Sequence, residues 1–446
     1  MADMDYKAIA DELAGEIEAG RLRPGERLPP QREFAYRRGI AASTAARVYA
    51  ALMRKGLVTG EVGRGTYVRS TTALAGPALS EPGAAPIDLE LNFPMLAGQA
   101  PELARSLAGL MRPDRLAQAL RPIGAAGTPA ARDLAARFLA RGGWKPRPES
   151  LLFTGNGRQA IAAVLSAVAA PGTRVGVEAL TYPVLISIAT RLGIELIAID
   201  MDGFGMRPDA LAAAHRGRPL KAICLQPFLH NPLGVSMTLA RRQEIAVFLE
   251  AQGVIAIEDA IYAFLVDDAP LAALAADHVV VVDSLSKRLA PGLTLGFISA
   301  PPNRMSGIAN ALRAGAWGPA GVPFAAAMQW IADGTAARLA TAKRADAGYR
   351  QELARAALAG LSMQADVRAY HLWLELPDHW RAGAYVAAAS RLGISIVPAS
   401  AFAVDQGFAP NAVRLALASP APAELSRALV VLAELALSSP TERDVG

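Results

Sequence analysis

Six short β-rich runs punctuate the middle of this 446-residue chain: RVGVE (174–178), ELIAID (195–200), KAICL (221–225), VIAIED (254–259), VVVVD (279–283) and LGFIS (295–299). Ala- and Leu-rich stretches of helical length separate them. Continuous apolar strands that alternate with helices must bury both faces, which predicts an α/β fold with a mostly parallel sheet covered on each side. Ligands in such sheets gather at the carboxyl ends of the strands. The residues at those ends are therefore the first candidates for chemistry.

VIAIED ends in Asp259 and leads into Tyr262; VVVVD leads into Ser284, Ser286 and Lys287. A strand-end aspartate alone is commonly a helix cap, and a lone lysine commonly a surface charge. Together on successive strand ends they read differently. A buried aspartate needs a cationic partner, and an apolar pocket disfavours the ammonium form of a lysine, leaving a nucleophilic amine. Pyridoxal phosphate asks for this pair, a Schiff-base lysine and an acid for its ring nitrogen. LLFTGNGRQAI (151–161) adds a glycine-containing turn between a strand and a helix, a phosphate site of backbone N–H groups.

Residues 1–70 have another texture. Ile9, Leu13 and Ile17 mark one helix face, a second short helix over about 30–38 ends at Gly39, and Thr44, Val48 and Leu52 mark a third running to about Lys55. RLRPGERLPP breaks the pattern after the first helix, and LVTGEVGRGTYV predicts two short strands around a glycine-rich turn. Three helices and a hairpin in this order predict a winged helix-turn-helix. This segment holds 12 Lys/Arg and 9 Asp/Glu, with most acids in the first helix and Arg32, Arg37, Arg38, Arg47 and Arg64 later. A net charge of +5 over the whole chain is too slight for general nucleic-acid binding, so any DNA contact is local. Residues 70–86, rich in Ser, Thr, Pro, Gly and Ala, predict a flexible linker.

The single cysteine, Cys224, excludes an internal disulfide framework. Neither a signal peptide nor an apolar stretch of membrane-spanning length is readable, which predicts a cytoplasmic protein without membrane partner. No metal-ligand cluster is expected.

GRLRPGERLPPQREFA and GRGTYV resemble the signature and wing tip of the GntR class of bacterial winged-helix repressors. The resemblance implies that Arg32 holds the DNA backbone, that Ser43, Thr44 and Arg47 belong to the recognition helix, and that Arg64, Gly65 and Thr66 reach the adjacent minor groove. Ala41 and Ala42 stand where that class has a capping serine and a base-reading arginine, so capping is expected to pass to Ser43. Arg23, Pro24 and Gly25 are assigned to a turn.

HNPLG (230–234), IEDAIY (257–262) and SLSKRLAPG (284–292), with LLFTGNGRQAI and VRLALA (413–418), resemble the aminotransferase branch of fold-type I pyridoxal-phosphate proteins. The likeness spans roughly 87–437. It implies that Lys287 carries the cofactor, that Asp259 holds its ring nitrogen, that Asn231 and Tyr262 bond its phenolic oxygen, and that Tyr182 stacks on the ring. Asn156, Gly157, Arg158, Ser284 and Ser286 are expected around the phosphate, and Arg414 on the carboxylate of an amino acid. Two places depart from the family: Thr294 replaces a phosphate-binding arginine, and Pro122 a tyrosine that reaches the partner subunit's phosphate. Arg288 is a candidate to compensate.

The combined order is similar to that of MocR-type regulators: a winged helix (1–69), a linker (70–86) and an aminotransferase-like domain (87–446) with a large part at about 120–320 and a small part at about 330–446. It implies a homodimer on operator DNA that senses a small amine or amino acid by exchange at Lys287. An active aminotransferase with a vestigial DNA-binding head is the alternative.

Overall fold

The computed structural model describes residues 6–18, 21–22, 26–54, 57–61, 65–68, 85–405 and 409–440. Its contacts divide into two compact units, Met1–Ser80 and Glu81–Gly446. The linker segment, apart from its last two residues, lies outside the described residues, as do Arg23, Pro24, Gly25 and Arg64.

In the first unit, helices α1 (Tyr6–Glu18), α2 (Gln31–Arg38) and α3 (Ala42–Arg54) pack with strands β1 (Arg27–Leu28), β2 (Val58–Glu61) and β3 (Gly65–Val68). Ile9, Leu13 and Ile17 of α1 bury against Val48 and Leu52 of α3. Their one-turn spacing places them on a single stripe, so one helix face fills the core. Gly39 ends α2 at φ 63, where a side chain would be strained. The strand β1 was not expected from its Pro- and Gly-rich surroundings. Leu28, 3% exposed, anchors it, and β3 supplies the ladder through Arg27↔Tyr67 and Leu28↔Thr66. One assignment is corrected: α3 already begins at Ala42, and the Ala45 N–H bonds the Ala41 carbonyl at 3.0 Å. Ser43 thus lies inside the first turn and does not cap it.

The second unit is built on a seven-stranded sheet in the order Leu151–Thr154, Gly296–Ser299, Val279–Ser284, Ile255–Asp259, Ala222–Leu225, Arg174–Glu178, Glu195–Ile199. Only Gly296–Ser299 runs antiparallel to its neighbours. The valines show why these strands are apolar throughout. Val279 and Val281 join one hydrophobic cluster and Val280 and Val282 the other, as the twofold alternation of a strand between two helical layers requires. A smaller antiparallel sheet, Met363–Gln364, His371–Glu375, Ala412–Ala416 and Val397–Pro398, packs with helices Thr335–Ala357, Ala382–Arg391 and Pro422–Leu437. Near the start of the unit, Ile87–Asp88 pairs in parallel with Ile394–Ser395.

Leu52 is completely buried. Leu52→Ala is expected to destabilise the first unit by about 2–5 kcal/mol. Urea denaturation should show its transition at lower denaturant and that of the second unit unchanged.

Candidate functional site

Strand Val279–Ser284 delivers Lys287. Ser284 ends the strand in extended conformation, and its Oγ accepts from the Ser286 N–H at 3.0 Å, capping a single helical turn, Leu285–Arg288. The Lys287 Nζ donates to the Asn92 carbonyl and lies 4.0 Å from the centroid of the Phe93 ring. Burial, with repulsion from Arg414 and Arg158, lowers its pKa to about 7. Near neutral pH a large share of this amine is therefore uncharged and nucleophilic.

Asp259 closes the neighbouring strand and stands in register with Val282. Its Oδ1 accepts the Ile261 N–H at 3.0 Å. Burial raises its pKa to about 7, and the nearby acids Asp283 and Glu178 push the same way. No arginine or lysine forms an ion pair with it among the described residues. The carboxylate lines a cleft with Thr181, Tyr182, Cys224 and Gln226.

Around this cleft the expected ring-binding groups converge. The Tyr262 hydroxyl accepts from Asn92 Nδ2 at 2.8 Å, which leaves its own hydrogen free to donate elsewhere. The Tyr182 hydroxyl accepts from Arg158 Nε at 2.9 Å, so Arg158 is tied to this tyrosine. Asn231 is fixed through its backbone N–H to Gln226 Oε1 at 2.8 Å, while its buried Oδ1 has no hydrogen-bond partner.

The residues expected around the phosphate meet where helix Gly157–Val168 starts. Asn156 caps it by accepting the Gln159 N–H at 2.9 Å. A Cβ on Gly157 would approach the Ser284 Cβ to 3.2 Å, so glycine keeps the helix head against the serine. The Ser284 Oγ lies 2.8 Å from Ser286 Oγ and 3.1 Å from Thr294 Oγ1. Thr294 therefore replaces the family's arginine with a third hydroxyl. Arg288 is removed from the cofactor-binding set. Asp283 is buried and demands a cation, and Arg288 Nη2 pairs with it while the guanidinium lies 4.9 Å from Phe138 and 5.5 Å from Phe264. Pro122 is exposed in the loop before helix Pro129–Leu139.

Arg414 comes from the small sheet, opposite Trp373 and Val397. It is 6% exposed; Nη2 donates to the Glu90 carbonyl at 2.6 Å, and Nε is buried without a partner.

Several residues of the site carry no sequence signal of their own. Asn92 and Phe93 meet Lys287 from far upstream in the chain. His371, fully buried, places Nε2 2.9 Å from the His230 carbonyl and Nδ1 3.4 Å from Asn92 Nδ2; burial lowers its pKa to about 3, so it is neutral. Lys343, also fully buried, donates to the carbonyls of Lys287 at 3.0 Å and Leu289 at 2.7 Å. One signal was available for it: the chain has 45 Lys+Arg of which only six are lysine, and two of those six meet here.

In the first unit Arg32, Ser43 and Arg47 are exposed and Thr44 is half-buried. Arg47 holds its guanidinium 5.7 Å from the Tyr6 ring. Gly65 and Thr66 open β3.

Comparison with known proteins agrees with both halves. Residues 118–432 match the family model "Aminotransferase class I and II", and residues 5–68 match "Bacterial regulatory proteins, gntR family". The HTH-type transcriptional regulator YdeF of Bacillus subtilis is 30% identical over 437 residues, covering 96% of this chain and 94% of the relative. The vitamin B6 salvage pathway transcriptional repressor PtsJ of Salmonella typhimurium is 28% identical over 295 residues, 65% of this chain and 66% of its own. An archaeal alanine:glyoxylate aminotransferase structure has the same fold, with a TM-score of 0.72 at 21% identity over 88% of this chain and 94% of that one. The cofactor of that fold, pyridoxal phosphate, suits the residues present: Asp259 without a cation, the unpartnered Asn231 amide oxygen and the hydroxyl-lined helix head. The chain belongs to the class I and II aminotransferase family and, with its GntR region, is a transcriptional regulator of MocR-type architecture.

Proposed function

We propose that this regulator holds pyridoxal phosphate at Lys287, senses a small amine or amino acid there, and passes the outcome to operator DNA bound by the winged helix. The observation that carries the reading is a largely uncharged lysine, Lys287, within electrostatic reach of Asp259, a half-buried carboxylate that lines the cleft and that no cation pairs among the described residues. When bound, the cofactor supplies an electrophilic carbonyl conjugated to a protonatable ring. The chain supplies the rest. Asp259 would accept from the ring N–H, Tyr262 and Asn231 would bond the phenolic oxygen, and Tyr182 would pack against the ring. The Gly157 helix head with Ser284, Ser286 and Thr294 receives the phosphate. Arg414 takes a carboxylate as a bidentate partner.

Arg32, Thr44 and Arg47, with Ser43 beside them, are the DNA-facing groups of the first unit, and Gly65 and Thr66 lead the wing. The reading includes a homodimer, matched to paired half-sites, in the bacterial cytoplasm where the operator lies. Retention of Lys287, Asp259 and Arg414 also favours a residual amino-group transfer. Conversion of an added common amino acid to its keto acid, its amino group passing to the bound cofactor, with no operator binding, would make that the main function instead.

Three outcomes test the reading. Lys287→Ala should abolish the visible absorbance of bound cofactor; an absorbance that survives the substitution, or is never present, refutes the assignment. Arg32→Ala and Arg47→Ala should each weaken binding to the protein's own upstream region roughly tenfold, about 1.4 kcal/mol, with cofactor absorbance intact. Asp259→Asn tests the unpaired acid. Its folded pKa of about 7 lies above the unfolded value, so the folded state holds the proton more tightly and stability falls as pH rises from about 4 to 7. Thermal unfolding without cofactor should therefore show Asp259→Asn more stable than wild type at pH 8, by on the order of 1–3 kcal/mol, and poorer at retaining cofactor.

A further inference from the structure

Residues 88–93 lie as a strap across the site. Its upstream end is fixed by the pairing with Ile394–Ser395 and by the small sheet: the Ile87 N–H bonds the Gly393 carbonyl at 3.0 Å, the Leu89 N–H the Ser395 carbonyl at 2.9 Å, and the Ala416 N–H the Leu89 carbonyl at 2.8 Å. Asp88 Oδ1 then accepts the N–H groups of Glu90 and Leu91, both at 2.8 Å, and Ser419 Oγ donates to the Leu91 carbonyl. Beyond this turn, the strap's main-chain oxygens occupy the two cations that a ligand needs. Arg414 Nη2 is held by the Glu90 carbonyl and Lys287 Nζ by the Asn92 carbonyl.

We infer that the strap is an intramolecular competitor for the carboxylate subsite, so that it sets the threshold at which amino acids, as distinct from simple amines, are sensed. A carboxylate approaching Arg414 side-on uses the parallel Nε and Nη2 edge. Nε is buried and unpartnered, and Nη2 is the nitrogen that Glu90 holds. An incoming carboxylate therefore brings an anionic oxygen up against the Glu90 carbonyl oxygen, two acceptors contending for one nitrogen. The side chains of Glu90 and Asp88 add negative charge near Arg414, which sharpens the contest. With Lys287 committed to the cofactor, its bond to the Asn92 carbonyl would be given up, and the Glu90 contact would be the one left for the ligand's carboxylate to displace. An amine that lacks a carboxylate has no reason to displace it.

The inference rests on the sensing role proposed above. Its test uses full-length, cofactor-loaded protein titrated with the proteinogenic amino acids and their decarboxylated amines, read by the cofactor spectrum. Ser419→Ala loosens the strap without changing charge; Asp88→Ala loosens it and removes an anion. Both should tighten amino-acid binding about 3- to 10-fold and leave amine binding unchanged. Hydrogen exchange of the peptide containing residues 89–93 should accelerate with amino acids and not with amines. Spectral shifts accompanied by unchanged or slowed exchange, or by equal gains for both ligand classes, overturn the strap's role and leave the sensing role standing. A loaded protein whose spectrum responds to neither class overturns both.

Discussion

Keeping an amine largely uncharged inside a folded protein at neutral pH requires that water be excluded from it and that opposing charge be rationed. The second unit is organised around meeting that requirement at Lys287. Asp283, the nearest acid in sequence, is already neutralised by Arg288, so it does not draw the lysine into a salt bridge. Asp259 is near enough to favour the charged lysine, yet Arg414 and Arg158 oppose it. Lys343 and Gln99 bond the Leu289 carbonyl at 2.7 and 2.9 Å, fixing the turn just beyond the lysine from two separate helices. Asp283, Arg288, Lys343 and Gln99 are all buried and bonded to one another or to this turn, which is the condition for an interior polar network to give order.

The head of helix Gly157–Val168, proposed above to receive the phosphate, is built mainly from neutral groups. Three hydroxyls and a helix N-terminus present partial charges only, where the wider family adds a guanidinium. Oriented dipoles hold an anion with less Coulomb energy than a cation does, and they add no further repulsion to the neighbouring lysine. With Thr294 in place of an arginine, the work of holding Lys287 uncharged falls to burial, Arg414 and Arg158.

What could be read from the sequence follows physical locality. The strands were visible because both faces are buried, and Asp259, Ser284, Ser286 and Lys287 because they lie immediately beyond strand ends. Thr294 and Arg288 stood in plain sight with their directions hidden, since direction depends on partners such as Ser284 and Asp283 whose needs appear only after packing. Asn92, Lys343 and His371 were silent for a stronger reason. Each acts through a contact across a long stretch of chain, and none sits in a local pattern that distinguishes it from an ordinary interior residue. The strand β1 was lost because its pairing is supplied by β3, against the local signals of proline and glycine.

The docking of Ile87–Asp88 beside Ile394–Ser395 has a mechanical side. The strand lies parallel to its partner, so a pull along the preceding chain loads its hydrogen bonds in shear, together, instead of peeling them one by one. The Ile87 bond meets that pull ahead of the turn at Asp88, and the bonds of Leu89 to Ser395 and Ala416 hold the turn itself. Tugging on the upstream connection is therefore absorbed at the small sheet, and the contacts at Arg414 and Lys287 answer to chemistry in the cleft more than to force from outside it.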